Sequence, residues 1–454
     1  METTQQFALK LTEIAELAFS YGSNTMPKEL LKTPSEKWTG EQTAAFMGRC
    51  HEGFKLAQKR LITEVILYQR LLKENREKTK EARARHDKSK VKELLNINRV
   101  IDRRLHNLSH IADGIAMEMM GHQIHIAKRL HIGEKGSKYL ENSNIGHAIM
   151  VSDDINKNPS NFALISDLTS FIQVGDLLVI DKEKGLYISE LKEGETNYRI
   201  REFIELIAQS DSISCPSYQS SFNEKEEDQM KRMLKQDLRA NQVVEIINTD
   251  KGTDPKSGAQ VTVNTPTVDL VYYDPIFMHM LKDLDKKDWS YRVLDNCLHI
   301  GMYQGNIGLM MASFSISQIL KKQSENHIIV DMMGITGKLS ETLFAKPLTK
   351  DFVVKIMTGQ AKIIIGIDLD RLIEVFTQNG LEARWLSKRE TARYTSLGKA
   401  IEIVVVNNRA IAVKMGNGQE AIVSGGIINK IVYDNILPSS LAVSMATSTA
   451  PEKV

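Results

Sequence analysis

Two carboxylates and a lysine, Asp176, Glu190 and Lys192, stand at spacings that bring them together if the chain between them forms a β-hairpin. Gly175-Asp176-Leu-Leu-Val-Ile180 and Leu186-Tyr-Ile-Ser-Glu190-Leu191-Lys192 are largely apolar runs, and the charged stretch Asp181 to Gly185 between them reads as their connection. Strand side chains alternate faces with a period of two, so Glu190 and Lys192 share a face. Pairing Ile180 with Leu186 and Leu178 with Ile188 sets Asp176 opposite Glu190, with Cβ atoms of directly paired residues roughly 4.5–5.5 Å apart. Two carboxylates at that spacing suit one divalent cation held through oxygen ligands. A lysine beside them can position a water or stabilise developing negative charge. A one-residue slip in register would scatter the set. Charges at the ends of apolar strands are costly unless paired or hydrated. The competing reading is an ordinary charged hairpin with paired surface charges.

The elements around the hairpin follow from hydrophobic periodicity. Phe54, Leu61, Val65, Tyr68 and Leu72 fall on one helical face. Leu94, Ile97, Ile101, Leu105, Leu108, Ile111 and Ile115 make a second stripe at spacings of three and four. Two long helices, 41–84 and 89–131, are therefore expected to pack as an antiparallel pair or in a bundle. Glu224 to Ile247 reads as an amphipathic helix on Met230, Met233, Leu234, Leu238, Val243 and Val244. The polar segment 248–258, with Gly and Pro, reads as a linker or long loop. Beyond it, Thr267–Tyr273, Ile401–Val406, Ala410–Val413 and Glu420–Val423 look like strands, with Asn407-Asn408 as a turn. Ala361 to Phe376 reads as a buried strand leading into a helix. The last residues, 438–454, lack any period and read as a disordered tail.

The Asp, then Glu-x-Lys, pattern of Asp176, Glu190 and Lys192 resembles the PD-(D/E)XK, or restriction-endonuclease-like, nuclease superfamily. The resemblance covers residues 133–250, and Gly175 stands where that family's pattern has proline. It implies a central mixed sheet flanked by helices and metal-dependent hydrolysis of a nucleic-acid phosphodiester, with DNA the favoured substrate and endonucleolytic cutting the favoured mode. Asp176, Glu190 and the carbonyl of Leu191 would hold Mg²⁺, with Mn²⁺ able to substitute, and Lys192 would orient or activate the attacking water. The resemblance further implies an additional acid on a preceding short helix, for which Glu141 is the match and Glu118 the reserve. It also implies a helix after the Glu-x-Lys strand that presents basic residues to the substrate; Lys225, Lys231, Arg232 and Lys235 are the matching candidates, and they could equally be a solvent face.

Two other clusters invite chemistry. Residues 73–92 are rich in Lys and Arg interleaved with acids. They read either as a nucleic-acid-contacting tip or as a solvated helix end laced with i,i+4 pairs. Five histidines, His106, His110, His122, His125 and His131, crowd one predicted helix. Those at i,i+3 or i,i+4 could hold a transition metal. Arg104 and His110 also resemble the Arg-x(4–6)-His motif of the HEPN ribonucleases, which implies RNA cleavage without metal.

Composition bounds the rest. The 454-residue chain is 42% hydrophobic and 26% charged with a formal net charge of +2, so any nucleic-acid surface must be local. Three scattered cysteines, Cys50, Cys215 and Cys297, point to a reducing cytoplasm. Neither a signal peptide nor a membrane-spanning run is expected. No GxxxxGK[ST] loop or dinucleotide fingerprint is present, which argues against ATP hydrolysis. The expectation is an α+β or α/β multidomain cytoplasmic protein. Its parts are a helical region over 1–132, the nuclease-like domain over 133–250, an α+β domain of unassigned role over 259–437 and the tail. Homo-oligomerisation through the N-terminal helices and an activating protein partner fit that layout. A nuclease joined to sensing-like regions resembles bacterial antiviral defence effectors or restriction systems. Against the nuclease stand the metal-independent ribonuclease and a non-catalytic, oligomerising interaction protein.

Overall fold

The computed structural model describes residues 2–131, 145–191, 197, 199–204, 222–249, 251–254, 258, 260–262, 268–333, 342–397, 403–415, 418 and 420–447. The fold is mixed α+β and divides into two compact units, Glu13–Val263 and Met1–Thr12 with Asn264–Val454. No described helix is long and apolar enough to cross a membrane.

After α1 (Thr4–Thr25), the first unit is built on the antiparallel pair α2 (Gly40–Ala84) and α3 (Lys88–Met119). Helix α2 begins with a capping box, Thr39 Oγ1 accepting from Gln42 N at 3.2 Å and Thr39 N donating to Gln42 Oε1 at 2.9 Å. At its 45 residues and ~1.5 Å per residue it spans about 67 Å. The stripe Phe54, Leu61, Val65, Tyr68 and Leu72 is buried, as are Leu94, Ile101, Leu108, Ile111 and Ile115 on α3. Buried Asn75 fixes the register of the pair by donating to Leu94 O and to Asn98 Oδ1, both at 2.8 Å. Helix α3 stops at Met119, well short of the expected 131. Gly121 and His122 take left-handed backbone (φ 57° and 59°), and His122 N bonds back to Met117 O, closing the helix before α4 (Ile124–Leu130).

A three-stranded antiparallel sheet packs on this pair, β1 (Phe162–Ile165), β2 (Leu177–Asp181) and β3 (Gly185–Ser189) in the order β1-β2-β3, and helix α5 (Ile145–Ile155) packs against β1. All four residues of β1 are buried. The Phe162 ring packs at 5.4 Å, tilted by 48°, against Phe54 of α2. Gln58 of α2 occupies the outer edge of β1 like a neighbouring strand, donating to Ala163 O at 3.0 Å and accepting from Ile165 N at 2.9 Å. The boundary expected at 132/133 therefore does not divide two bodies, because the sheet uses α2 as part of its own edge and core. Among the described residues the sheet is wholly antiparallel rather than mixed. Helix α6 (Glu224–Thr249) and the two-stranded β4 (Lys251–Thr253) and β5 (Gln260–Thr262) complete the unit.

The second unit centres on an antiparallel sheet of order β6-β7-β9-β8: β6 (Trp289–Leu294), β7 (Leu298–Gln304), β8 (His327–Asp331) and β9 (Ala361–Asp368). The expected strand-to-helix passage is present, β9 running into a helix over Leu369–Gln378 that Asp368 caps through Asp370 N and Arg371 N. A smaller meander holds β10 (Glu382–Trp385), β11 (Ile411–Lys414) and β12 (Glu420–Ile422). The Asn407-Asn408 turn forms with φ 50° and 61°, closed by reciprocal Val406–Arg409 backbone bonds. Two expected strands are reduced to bridges, Tyr272↔Ile436 in the first and Ile403↔Ser424 with Val406↔Arg409 in the second. The expected tail opens instead with a helix over Pro438–Ala446, proline at its first turn and Leu441 and Ala442 buried.

Candidate functional site

The β2–β3 register runs from Asp181↔Gly185 through Ile180↔Leu186 and Leu178↔Ile188 to Leu177↔Ser189, as the two apolar runs require. The ladder then changes. Asp176 N donates to Ser189 O at 2.9 Å, an offset of one residue, so Asp176 and Leu177 both face Ser189. The cause lies at Gly175, whose φ of +76° turns the incoming chain. A Cβ there would collide with Ile188 Cγ2, and proline, locked near −65°, cannot adopt this backbone. The backbone at position 175 therefore excludes proline for a local structural reason.

The expected direct Asp176–Glu190 pair is replaced by a clasp. The Asp176 carbonyl accepts from Ser166 N at 2.9 Å, and its carboxylate Oδ2 accepts from Leu191 N at 2.6 Å. Asp176 therefore holds the chain at residue 189 through its backbone and at residue 191 through its side chain. Glu190 is the residue between those two anchors. Lys192 and Glu141 lie outside the described residues.

The segment entering the clasp is anchored from below. Asp113 of α3 is buried, and its carboxylate accepts from Ser170 N and Ser170 Oγ, both at 2.7 Å. Burial pushes its carboxyl up to about 7, against the partial opposition of the two Ser170 bonds. Asp113 stands one turn beyond His110 in the sequence, and nothing there signals its partner Ser170.

The other candidates separate. Lys225, Lys231, Arg232 and Lys235 are exposed on α6, Lys231 beside Asp228 at 3.5 Å and Arg232 Nε on the Asp228 carbonyl at 3.3 Å. Only Met233, Val243 and Ile246 of α6 are buried apolar positions, while Leu234, Leu238 and Val244 are exposed. Glu118 pairs with His122 Nε2 at 3.2 Å. Arg104 is buried with its guanidinium over the Tyr68 ring, donating to Tyr68 Oη at 3.2 Å. His106 and His110 rings lie 6.4 Å apart, and burial holds both imidazoles toward the neutral form, His110 down to about 4. The side chain of His125 lies outside the described residues.

Among the described residues no group of three or more His, Cys, Asp or Glu side chains converges as a metal cage. A cage is not what Mg²⁺ requires: it is commonly held by one or two carboxylates with substrate phosphates and retained waters. Asp176 and Glu190 carry hard oxygen donors of the kind such a site would use. Comparison with protein-family models, with curated proteins and with solved structures gives no match.

Proposed function

We propose that the protein is a metal-dependent nuclease whose active site is the open end of the β2–β3 hairpin. The observation that carries the reading is the clasp of Asp176 on Ser189 and Leu191, which brackets Glu190 between its two anchors at the open end of an apolar hairpin. Preorganised ligands are what phosphodiester hydrolysis needs, because positioning and charge stabilisation account for most of the rate.

In this reading Asp176 and Glu190 hold Mg²⁺, or Mn²⁺ in its place, with the Leu191 carbonyl as a further oxygen donor. The ion would activate water and offset charge on the scissile phosphate. The Leu191 N–H keeps the Asp176 carboxylate from swinging away when no cation is present. Lys192, next but one after Glu190, orients the attacking water or stabilises the negative charge that gathers on phosphorus-bound oxygen. DNA is the favoured substrate, and Lys225, Lys231, Arg232 and Lys235 on the exposed face of α6 are suited to contact its backbone.

The test is cleavage of plasmid and of single-stranded nucleic acid by the wild type and by Lys192→Ala, in Mg²⁺, Mn²⁺ and EDTA. Metal-dependent cutting that the substitution removes supports the reading. Cutting that survives both EDTA and the substitution would move the chemistry away from the hairpin.

A further inference from the structure

We propose that the tip of the α2–α3 hairpin is a second, non-catalytic nucleic-acid site, a basic groove that takes the phosphate backbone of a duplex. A groove of about 430 Å³ opens where α2 ends and α3 begins. Arg83 enters it from α2, Lys88, Lys92 and Arg99 from α3, and the half-buried Val91 and Leu95 form its floor. The turn that shapes it is tightly specified: His86 takes left-handed backbone (φ 56°), and Asp87 caps α3 by accepting from Lys90 N at 2.9 Å. The one acid in the lining is thereby engaged with the helix start rather than with the surrounding cations.

Charge distinguishes this groove from an ordinary solvated helix end. Residues 76–103 hold ten Lys and Arg against five Asp and Glu, although the whole chain is only +2. A solvated end neutralises its cations in local pairs, and the tip does so away from the groove, at Lys80–Glu77 and Lys90–Glu93, both 2.9 Å. Among the described residues Arg83, Lys88, Lys92 and Arg99 make no ion pair; Arg99 donates only to Asn96 Oδ1, at 3.1 Å. Four exposed cations around one concavity, held on a rigid helix pair, concentrate positive potential at a spot fit for a polyanion.

The lining selects among polyanions. It contains no Phe, Tyr or Trp, and the His86 imidazole is its single ring, so successive bases have no platform to stack on and single strands lose most of their usual source of affinity. A duplex asks only for cations at phosphate spacing, and long Lys and Arg stems over an apolar floor can meet that need without reading sequence. The site is distinct from the open end of the β2–β3 hairpin and stands whether or not that hairpin hydrolyses phosphodiesters.

The experiment is fluorescence anisotropy of a labelled mixed-sequence duplex with the full-length protein in EDTA, over a series of salt concentrations. The variants combine Arg83→Ala, Lys88→Ala, Lys92→Ala and Arg99→Ala, all exposed helical positions at which alanine keeps the helix. Loss of affinity of about 10- to 100-fold is expected, with the slope of log affinity against log salt shallower by roughly 3–4, about 0.9 for each phosphate contact removed. Because the measurement is made in EDTA and reads binding rather than cutting, it separates this site from the fate of the hydrolysis reading. Lys88→Arg with Lys92→Arg should also keep the wild-type slope. An unchanged slope in the fourfold alanine variant, or no duplex binding by the wild type, overturns the proposal. Competition by polyglutamate as strong as that by unlabelled duplex also overturns it, and assigns the groove to an acidic protein.

Discussion

The two ends of the β2–β3 hairpin carry the same kind of residue in opposite circumstances. At the closed end Asp181 is taken up by the turn: it accepts from Glu183 N at 2.8 Å, Lys184 N at 3.1 Å and Asn161 Nδ2 at 2.6 Å. Those bonds, led by the Glu183 N–H, hold its carboxyl below the usual range. At the open end there is no turn to close, yet Asp176 reaches across to Leu191 and a second acid, Glu190, stands between its anchors. An acid at a turn is explained by the turn. At the open end the carboxylate holds backbone across a strand mouth instead, and the comparison sets an acid that shapes a turn against one proposed to hold a metal.

The largest effect should come from removing ligand charge at the open end. Asp176→Asn and Glu190→Gln should each lower metal-dependent cleavage by at least about 100-fold, the scale at which a metal stops stabilising the transition state. Asp176→Asn keeps an acceptor for the Leu191 N–H, so its melting temperature should stay near that of the wild type. Loss of fold in that variant would erase the difference between the two ends and make Asp176 a second Asp181.

The next effect tests what holds the open end in shape. Gly175→Ala places a Cβ against Ile188 Cγ2 at a backbone φ of +76°. The expected cost is about 1–3 kcal/mol in urea unfolding, accompanied by a loss of cleavage as the offset at Ser189 relaxes. Unchanged stability would show that the clasp does not depend on this turn.

How far the sequence reaches is visible at these positions. The stripes on α2 and α3, the β2–β3 register and the Asn407-Asn408 turn follow from local periodicity and turn chemistry, and all three form. The offset at Asp176 does not follow, because it arises from the crowding of Gly175 on Ile188, a contact across the hairpin. Strand β1 is too short to announce itself, and its edge is completed by Gln58, more than 100 residues earlier. The end of α3 at Met119 is marked in the sequence by Gly121, which the apolar stripe alone passes over. Lys192 and Glu141 rest on the pattern alone.

A pH experiment probes the anchor beneath the open end. The Asp113 carboxyl, ordinarily 3.8, sits at about 7 in the fold, so the folded protein keeps a proton that the unfolded chain has released. Its contribution is most favourable at low pH and declines as pH rises from about 4 to 7. His110 runs the other way: ordinarily 6.5 and about 4 in the fold, it costs stability as pH falls through that interval. The two slopes oppose each other in the wild type. Asp113→Asn should leave the histidine slope exposed, with unfolding free energy dropping by on the order of 1–3 kcal/mol between pH 6.5 and 4.5. His110→Gln should reverse the sign. The Asn side chain can still accept from Ser170 N and donate to Ser170 Oγ, so cleavage at neutral pH should persist.

The smallest effect belongs to the closed end, and it completes the comparison. Asp181→Ala removes the acceptor for two backbone N–H groups and the partner of Asn161, whose Oδ1 also receives Lys182 N at 3.3 Å. The melting temperature should fall slightly, by less than in Gly175→Ala, because the Gly185 backbone (φ 75°) and the ladder up to Ile180↔Leu186 still specify the turn. The carboxylate's contribution is present above its ordinary pKa of 3.8 and disappears as pH falls through the lower folded value, so the wild type and Asp181→Ala should converge in stability in strong acid. Cleavage should be unchanged, since nothing at the closed end touches Asp176 or Glu190 in the hydrogen bonds that define the clasp. If Asp181→Ala instead stops cleavage while the fold stands, the hairpin acts as one electrostatic unit, and the division between a structural end and a chemical end is wrong.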